Sequence, residues 1–257
     1  MNKIALISGA SQGIGKAAAL ALAKQGVTLC LNARRPDQLQ HVLEEVRQIV
    51  PGDHSLFIGD LTEPHLREQC FDQIEQRYGR LDILVNNIPG GVPDTFDSFD
   101  TEQAVSIFTG KTVTYVHCMQ RAVTLMKQNQ WGRIVNVVGN FWKEPGATMF
   151  TNGMMNAAIV NASKNISIQL AAAQITVNCL NPGTIVTDRY EQYINNLQKN
   201  KQISKAEAIQ SVNASIPAQR PGTAQEAASL IAYLCSEDAG YVTGQQISVD
   251  GGALRSL

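Results

Sequence analysis

The chain has 257 residues, with 21 Lys plus Arg against 22 Asp plus Glu and a formal net charge of −1. A composition of 44% hydrophobic and 17% charged residues supports a large buried core and excludes a disordered chain, while the even charge balance argues against a broad basic nucleic-acid face. Every apolar run falls far short of the roughly 18 residues needed to span a membrane, and no signal-peptide pattern follows the N-terminus, so the expectation is a cytoplasmic protein with neither membrane nor nucleic-acid partner.

The five cysteines (Cys30, Cys70, Cys118, Cys179, Cys235) are odd in number and widely spread, and read as reduced, buried thiols. His41, His54, His65 and His117 share no ligand spacing, so no metal is expected and each reads as a surface or helix-packing histidine.

In chain order, a strand is expected at 4–8, followed by the turn Gly9-Ala10-Ser11-Gln12-Gly13-Ile14-Gly15 and an alanine-rich helix over 15–25. Further strands fall at 27–32, 55–58, 83–85, 134–138, 175–180 and 246–249. They are short, continuous and rich in Val, Ile and Leu, as strands buried on both faces of a parallel sheet are. Helices are expected at 37–49, 64–78, 101–129, 152–173 and 224–235. Such alternation predicts an α/β fold: a doubly wound, Rossmann-type parallel sheet with right-handed crossovers, in a single domain over 1–257. A polar, helix-prone insert at 189–217 lies before the last core strand, near the carboxyl ends where such sheets bind ligands. It reads either as a substrate lid or as a solvated helical excursion.

The glycine turn has the right place for phosphate binding. Glycines allow a tight bend and close backbone approach, and the helix that follows offers unpaired N–H groups and a positive dipole end. The same strand–turn–helix order is also compatible with a purely structural turn.

The run Ser8-Gly9-Ala10-Ser11-Gln12-Gly13-Ile14-Gly15 resembles the TGxxxGIG cofactor motif of the short-chain dehydrogenase/reductase family. Asp60-Leu61-Thr62 resembles the acidic stretch after strand three that contacts adenine, and the segment 78–87 ending in Asn86-Asn87 resembles the strand-four NNAG region. Ile175-Thr176-Val177-Asn178 with Pro182-Gly183 and Thr187 resembles the VN…PGxxxT stretch, whose loop meets the nicotinamide. Tyr241-Val242-Thr243-Gly244 and Val249-Asp250-Gly251-Gly252 match the C-terminal signature. The resemblance implies a seven-stranded sheet, and a homo-oligomer (dimer or tetramer) built through the long fourth and fifth helices and the C-terminal strand. It also implies a cofactor site formed by Gly9, Ser11, Gln12, Gly13, Ile14, Gly15, Asp60, Leu61, Asn87, Pro182, Gly183 and Thr187. Where NAD-preferring members carry an acid after strand two, this chain has Ala33 followed by Arg34 and Arg35. A guanidinium can grip a 2′-phosphate in bidentate fashion, so NADP(H) is the expected cofactor, unless both arginines are ordinary surface charges.

The family's carbonyl chemistry, as the resemblance implies it, uses a Tyr and a Lys four residues later, a Ser at the end of strand five, and an Asn in the preceding helix. Gly139 stands at the Ser position. Val160-Asn161-Ala162-Ser163-Lys164 imitates YxxSK, but family spacing places the Lys roughly 17 residues after the Ser, and Lys164 is 25 after Gly139. The corrected register puts Asn152 at the Tyr position, Asn156 at the Lys position and Lys111 at the Asn position. Loss of the acid–base Tyr alone removes roughly 10²–10⁴-fold of rate, about 3–5 kcal/mol. Two readings remain. In one the site is rebuilt around Lys111 and Lys143, with Tyr115 one turn beyond Lys111; a desolvated lysine can serve as acid, base, nucleophile or carboxylate clamp. In the other the pocket binds a nucleotide or partner without turnover, Lys111 and Lys143 are surface lysines, and Tyr115 belongs to a subunit interface. The expected activity is NADP(H)-dependent oxidation or reduction of a small or acyl-type substrate. A non-redox cyclase, dehydratase, decarboxylase or isomerase, or a non-catalytic nucleotide-binding subunit, is the alternative.

Overall fold

The computed structural model describes residues 2–91 and 93–256. β1 (Ile4–Ile7) is buried along its length and leads through the glycine turn into α1 (Gly13–Lys24). The buried side of α1 is Gly15, Ala17, Ala18, Ala19, Leu22 and Ala23, small enough to let the helix lie close on the sheet. β2 (Thr28–Ala33) is followed by α2 (Pro36–Ile49), whose opening proline is pre-set for a first helical turn. β3 (Ser55–Ile58) leads to α3 (Pro64–Tyr78), which Gly79 ends at φ 63°, a left-handed cap. β4 (Ile83–Asn86) then enters the sheet.

The next helix differs from expectation. A single helix over 101–129 is interrupted: α4 (Thr101–Ile107) passes into a π-helical segment, Phe108–Val113, before α5 (Thr114–Gln128) resumes. In the widened turn, the Thr114 hydroxyl donates to the Thr109 carbonyl five residues back, at 3.5 Å. A π turn inserts a residue into the α repeat and rotates the side chains it carries, and Lys111 lies within this one.

β5 (Gly132–Val137) is followed by a short 3₁₀ turn, Asn140–Trp142, and then α6 (Phe150–Leu170). The chain continues through β6 (Ile175–Pro182), β7 (Ile185–Val186), α7 (Asp188–Lys201), α8 (Lys205–Ala214), β8 (Gly222–Thr223), α9 (Ala224–Leu234) and β9 (Gln246–Val249). The main sheet has seven strands, all parallel, in the order β3-β2-β1-β4-β5-β6-β9, and β7 pairs with β8 apart from it. This is a single Rossmann-type domain, doubly wound as the alternation predicts. One core lies between the sheet and α1, α2 and α9, and the other between the sheet and α3 and α5. The insert forms a helical pair, α7 and α8, with its own small core of Tyr190, Ile194, Ala208, Val212 and Ile216.

A buried charge fixes the amino ends of the central strands. Asp82, 0% exposed, accepts hydrogen bonds from the Ile4 N–H (2.8 Å) and from Arg80 Nε (3.0 Å) and Nη2 (2.6 Å). Asp82→Ala leaves the buried Ile4 N–H without its acceptor and breaks the pair to the partly exposed Arg80, so it is expected to lower unfolding free energy by about 1–3 kcal/mol. Urea unfolding with an unchanged midpoint would refute this.

Candidate active site

The sheet order reverses between β1 and β4, and ligands of doubly wound sheets bind in the crevice beyond the carboxyl ends at that point. Ser8 closes the two strand ends: its N–H donates to the Val85 carbonyl (3.0 Å) and its Oγ accepts from the Asn87 N–H (2.8 Å). Asn87 Nδ2 donates back to the Gly9 carbonyl at 3.2 Å. Gly9 has φ 64°, and a Cβ there would stand 2.4 Å from the Asn87 carbonyl oxygen. A Cβ on Gly15 would stand 2.1 Å from the Gly9 oxygen. Neither position admits a side chain.

Ser11, Gln12, Gly13 and Ile14 are half-buried along the crevice at the start of α1. Thr187 stands over this turn, its Cγ2 3.2 Å from the place of a Gly13 Cβ, so the loop after Pro182-Gly183 faces the glycine turn. At the far end Arg34 and Arg35 are exposed, Arg34 pairing with Asp60 at 3.4 Å and Arg35 donating to Gln12 Oε1 at 3.2 Å. Asp60 also accepts from the Thr62 N–H (3.0 Å), and Leu61 is buried beside it. A cradle of glycines at a helix N-terminus, with guanidinium groups at one end, fits a phosphorylated dinucleotide.

The other end of the crevice gathers Lys111, Gly139, Asn152 and Asn156. Lys111, on the π segment, is 6% exposed, and its Nζ lies 3.5 Å from Asn156 Oδ1. Asn156 Nδ2 is 3.2 Å from the place of a Gly139 Cβ, so the glycine leaves room for the amide. Asn152, one turn earlier on α6, is also buried and donates from Nδ2 to the Gly91 carbonyl at 3.4 Å. Arg189, at the start of α7, donates to the same carbonyl at 3.4 Å. Burial strips water from the Lys111 ammonium, the Arg189 charge adds to the effect, and the pKa falls from 10.5 to about 8.

Tyr115 shares the helix face of Lys111, whose Nζ is 5.5 Å from the ring centroid, but its hydroxyl is committed to backbone. It accepts from the Ile88 N–H (3.0 Å) and lies 3.1 and 3.2 Å from the carbonyls of Ile88 and Val137, clamping the segments that follow β4 and end β5. Burial raises its pKa far above the ordinary phenol value. Tyr115 is wholly buried, so it is neither a solvent-facing nor an interface residue of this chain. Lys143 is half-buried at the end of the 3₁₀ turn, and among the described residues no hydrogen bond joins it to Lys111 or Asn156.

Two neighbours were not legible from motifs. Arg189 enters the site only because the insert folds back as a helix. Asn140 bridges to the C-terminal segment, with Nδ2 3.4 Å from Asp250 Oδ2 and Oδ1 accepting from Ser248 Oγ at 3.3 Å. Among the described residues no cluster of His, Cys, Asp and Glu could hold a metal ion, and no helix is long and apolar enough to cross a membrane.

A family profile described as enoyl-(acyl carrier protein) reductase matches residues 9–253, and the chain belongs to this short-chain dehydrogenase/reductase family. It is 54% identical over 257 residues to the NADPH-dependent reductase BacG of Bacillus subtilis, covering 100% of this chain and 99% of that one. It is 30% identical over 256 residues to a D-beta-hydroxybutyrate dehydrogenase of Rhizobium meliloti, covering 98% of each. Among solved structures, it superposes with a TM-score of 0.96 and 52% identity on YwfH, an NADPH-dependent reductase involved in bacilysin biosynthesis, covering 100% of both chains. L-sorbose reductase from Gluconobacter frateurii, complexed with NADPH and L-sorbose, gives a TM-score of 0.94 at 28% identity, covering 100% of this chain and 98% of that one.

The buried amine has a stability cost with a defined pH dependence. Below about pH 8 both folded and unfolded chains carry the Lys111 proton, and the folded state bears the full penalty, on the order of 3 kcal/mol. As pH rises from 8 towards 10.5 the folded chain gives up the proton first, and the penalty fades. Lys111→Met, which keeps the stem, is therefore expected to be more stable than wild type at pH 7, with the difference shrinking above pH 8. Equal or lower stability of the variant at pH 7 in chemical denaturation would contradict the burial argument.

Proposed function

We propose that this protein is an NADPH-dependent reductase of a carbonyl group in a small or acyl-type substrate, working with a rebuilt active site. The observation that carries the reading is Lys111, held on a π turn inside the crevice with its Nζ 3.5 Å from Asn156 Oδ1. The glycine cradle and its likeness to NADPH-dependent relatives favour NADPH as the cofactor. The gathering of Lys111, Gly139, Asn152 and Asn156 supports the register in which they replace the family's Asn, Ser, Tyr and Lys.

When bound, NADPH supplies a hydride. The chain supplies the rest. Gly9 to Gly15 and the α1 N-terminus hold the pyrophosphate, and Arg34 and Arg35 hold the 2′-phosphate. Asp60, Leu61 and Asn87 flank the adenosine side, and Pro182, Gly183 and Thr187 the nicotinamide side. Lys111, an ammonium below about pH 8, stabilises negative charge developing on the substrate oxygen and delivers its proton from Nζ. Asn156 orients that amine, Asn152 holds the Gly91 carbonyl at the substrate end, Tyr115 holds the floor, and Lys143 borders the entrance. The α7–α8 pair forms the substrate lid, with Arg189 reaching in from its first turn.

The reading extends to a cytoplasmic homo-oligomer, dimer or tetramer. The five cysteines are free and buried, as suits a reducing compartment. Val105, Phe108, Val113 and Val116 are exposed at spacings of three, five and three, and the five spans the π turn, so they form one apolar face along α4 and α5.

Titration followed by nicotinamide fluorescence is expected to show NADPH binding tighter than NADH, with Arg34→Ala and Arg35→Ala narrowing that difference. NADPH oxidation with a panel of carbonyl compounds should then identify turnover, and Lys111→Ala should lower kcat by roughly 10²–10⁴-fold while NADPH affinity is retained. Failure to bind NADPH, or unchanged turnover in Lys111→Ala, would overturn the assignment. Tight binding without oxidation would favour a non-redox enzyme.

A further inference from the structure

Arg67, on α3, is 5% exposed, and among the described residues no carboxylate lies within ion-pair distance of it. Its partners are neutral. Nη1 donates to the carbonyls of Leu61 (2.7 Å) and Thr62 (3.4 Å) and to Thr114 Oγ1 (3.1 Å). Nε donates to His117 Nδ1 at 2.6 Å. A guanidinium keeps all its protons, so Nδ1 must be the bare ring nitrogen, and the Nε2–H donates to Glu68 Oε1 at 2.9 Å. A buried cation surrounded by neutral acceptors is an expensive way to join two helices, and a well-packed apolar residue would serve packing alone at least as well.

Arg67 joins two adjoining segments that lead to different parts of the crevice. Leu61 and Thr62 form the loop at its adenine end. Thr114 is the first residue after the π segment. Because its Oγ accepts from Arg67, its proton is directed to the Thr109 carbonyl, inside the segment that presents Lys111. The loop also touches this segment directly, with Thr62 Cγ2 3.8 Å from the place of a Gly110 Cβ. A continuous chain of contacts therefore runs from the adenine loop through Arg67 and Thr114 to the turn holding Lys111.

We propose that Arg67 is a positioning residue that couples occupancy of the adenine end to the placement of Lys111, so that the catalytic amine is set when the cofactor is seated. The inference rests on the role given to Lys111 above. Coupling of this kind is reciprocal, and substitutions along such a chain change it by roughly 2- to 30-fold.

Adenosine 2′,5′-bisphosphate is a suitable probe because it fills the adenine end and carries no nicotinamide. The readout is the titration of Lys111 by NMR in protein labelled with ¹³C at lysine Cε, the signal being assigned by its loss in Lys111→Met. In wild type, saturating probe should move the Lys111 midpoint by about half a pH unit, a change of roughly threefold in proton affinity. Arg67→Lys keeps the charge but not the fork, and Thr114→Val keeps the shape but not the hydroxyl. Both should bind the probe within about threefold of wild type and lose most of the midpoint shift, with kcat falling by roughly 2- to 30-fold. The same shift in wild type and both variants would mean that only the field of the phosphates is felt, and would overturn the coupling, as would a wild type with no shift. Lower thermal stability with an unchanged Lys111 response would reduce Arg67 to packing. Should Arg67→Lys fail to fold, Thr114→Val carries the same test. A wild type that does not bind the probe would instead sink the cofactor reading, and the coupling with it.

Discussion

The crevice depends on two missing side chains. With a Gly15 Cβ only 2.1 Å from the Gly9 oxygen and a Gly9 Cβ 2.4 Å from the Asn87 oxygen, β1, β4 and α1 meet at a distance that no L side chain permits. That contact brings the first turn of α1 to the carboxyl end of the sheet at its switch point. Ser8 and Asn87 then close the floor by hydrogen bonds between the two strand ends. Everything placed around the crevice, from Arg34 at one end to Lys111 at the other, takes its position from this joint.

Lys111 is the opposite kind of feature, a group the fold holds at a cost. Its amine has lost its water, has an amide oxygen at 3.5 Å, and lies near the like charge of Arg189. Such an arrangement works against stability and favours chemistry, since an amine whose pKa is near 8 can both hold and release a proton close to neutral pH. Asn156 suits this exchange, because its amide oxygen at 3.5 Å solvates the amine without adding a like charge beside it.

How much could be read beforehand depended on whether the signal was local. The buried strands announced themselves as short Val/Ile/Leu runs, and residues 246–249 were legible as β9 although only four residues long. Asn156, the position that counting from strand five assigns in place of Lys164, lies against Lys111 and the place of a Gly139 Cβ, which locates it without testing its role. The π turn could not be read, because its residues FTGKTV have no pattern distinct from an α-helix; it shows only in the folded chain, where the Thr114 hydroxyl donates to the Thr109 carbonyl five residues back. Tyr115 likewise looked like a candidate for chemistry or for an interface, and only the approach of the Ile88 and Val137 backbone shows where its hydroxyl is used.

The sequence by itself determined the alternation of strand and helix, the glycine turn that opens a phosphate site, and the identity of the side chains available for chemistry. These are properties of residue type and spacing along the chain, and they hold before any two distant segments meet. The tertiary structure decided which of those side chains lose their water. Lys111 reads equally as a solvated surface lysine until α6 brings Asn156 over it and α7 brings Arg189 near. The near-even charge of the whole chain carries no trace of this, because desolvation depends on neighbours that are 45 or more residues away in sequence.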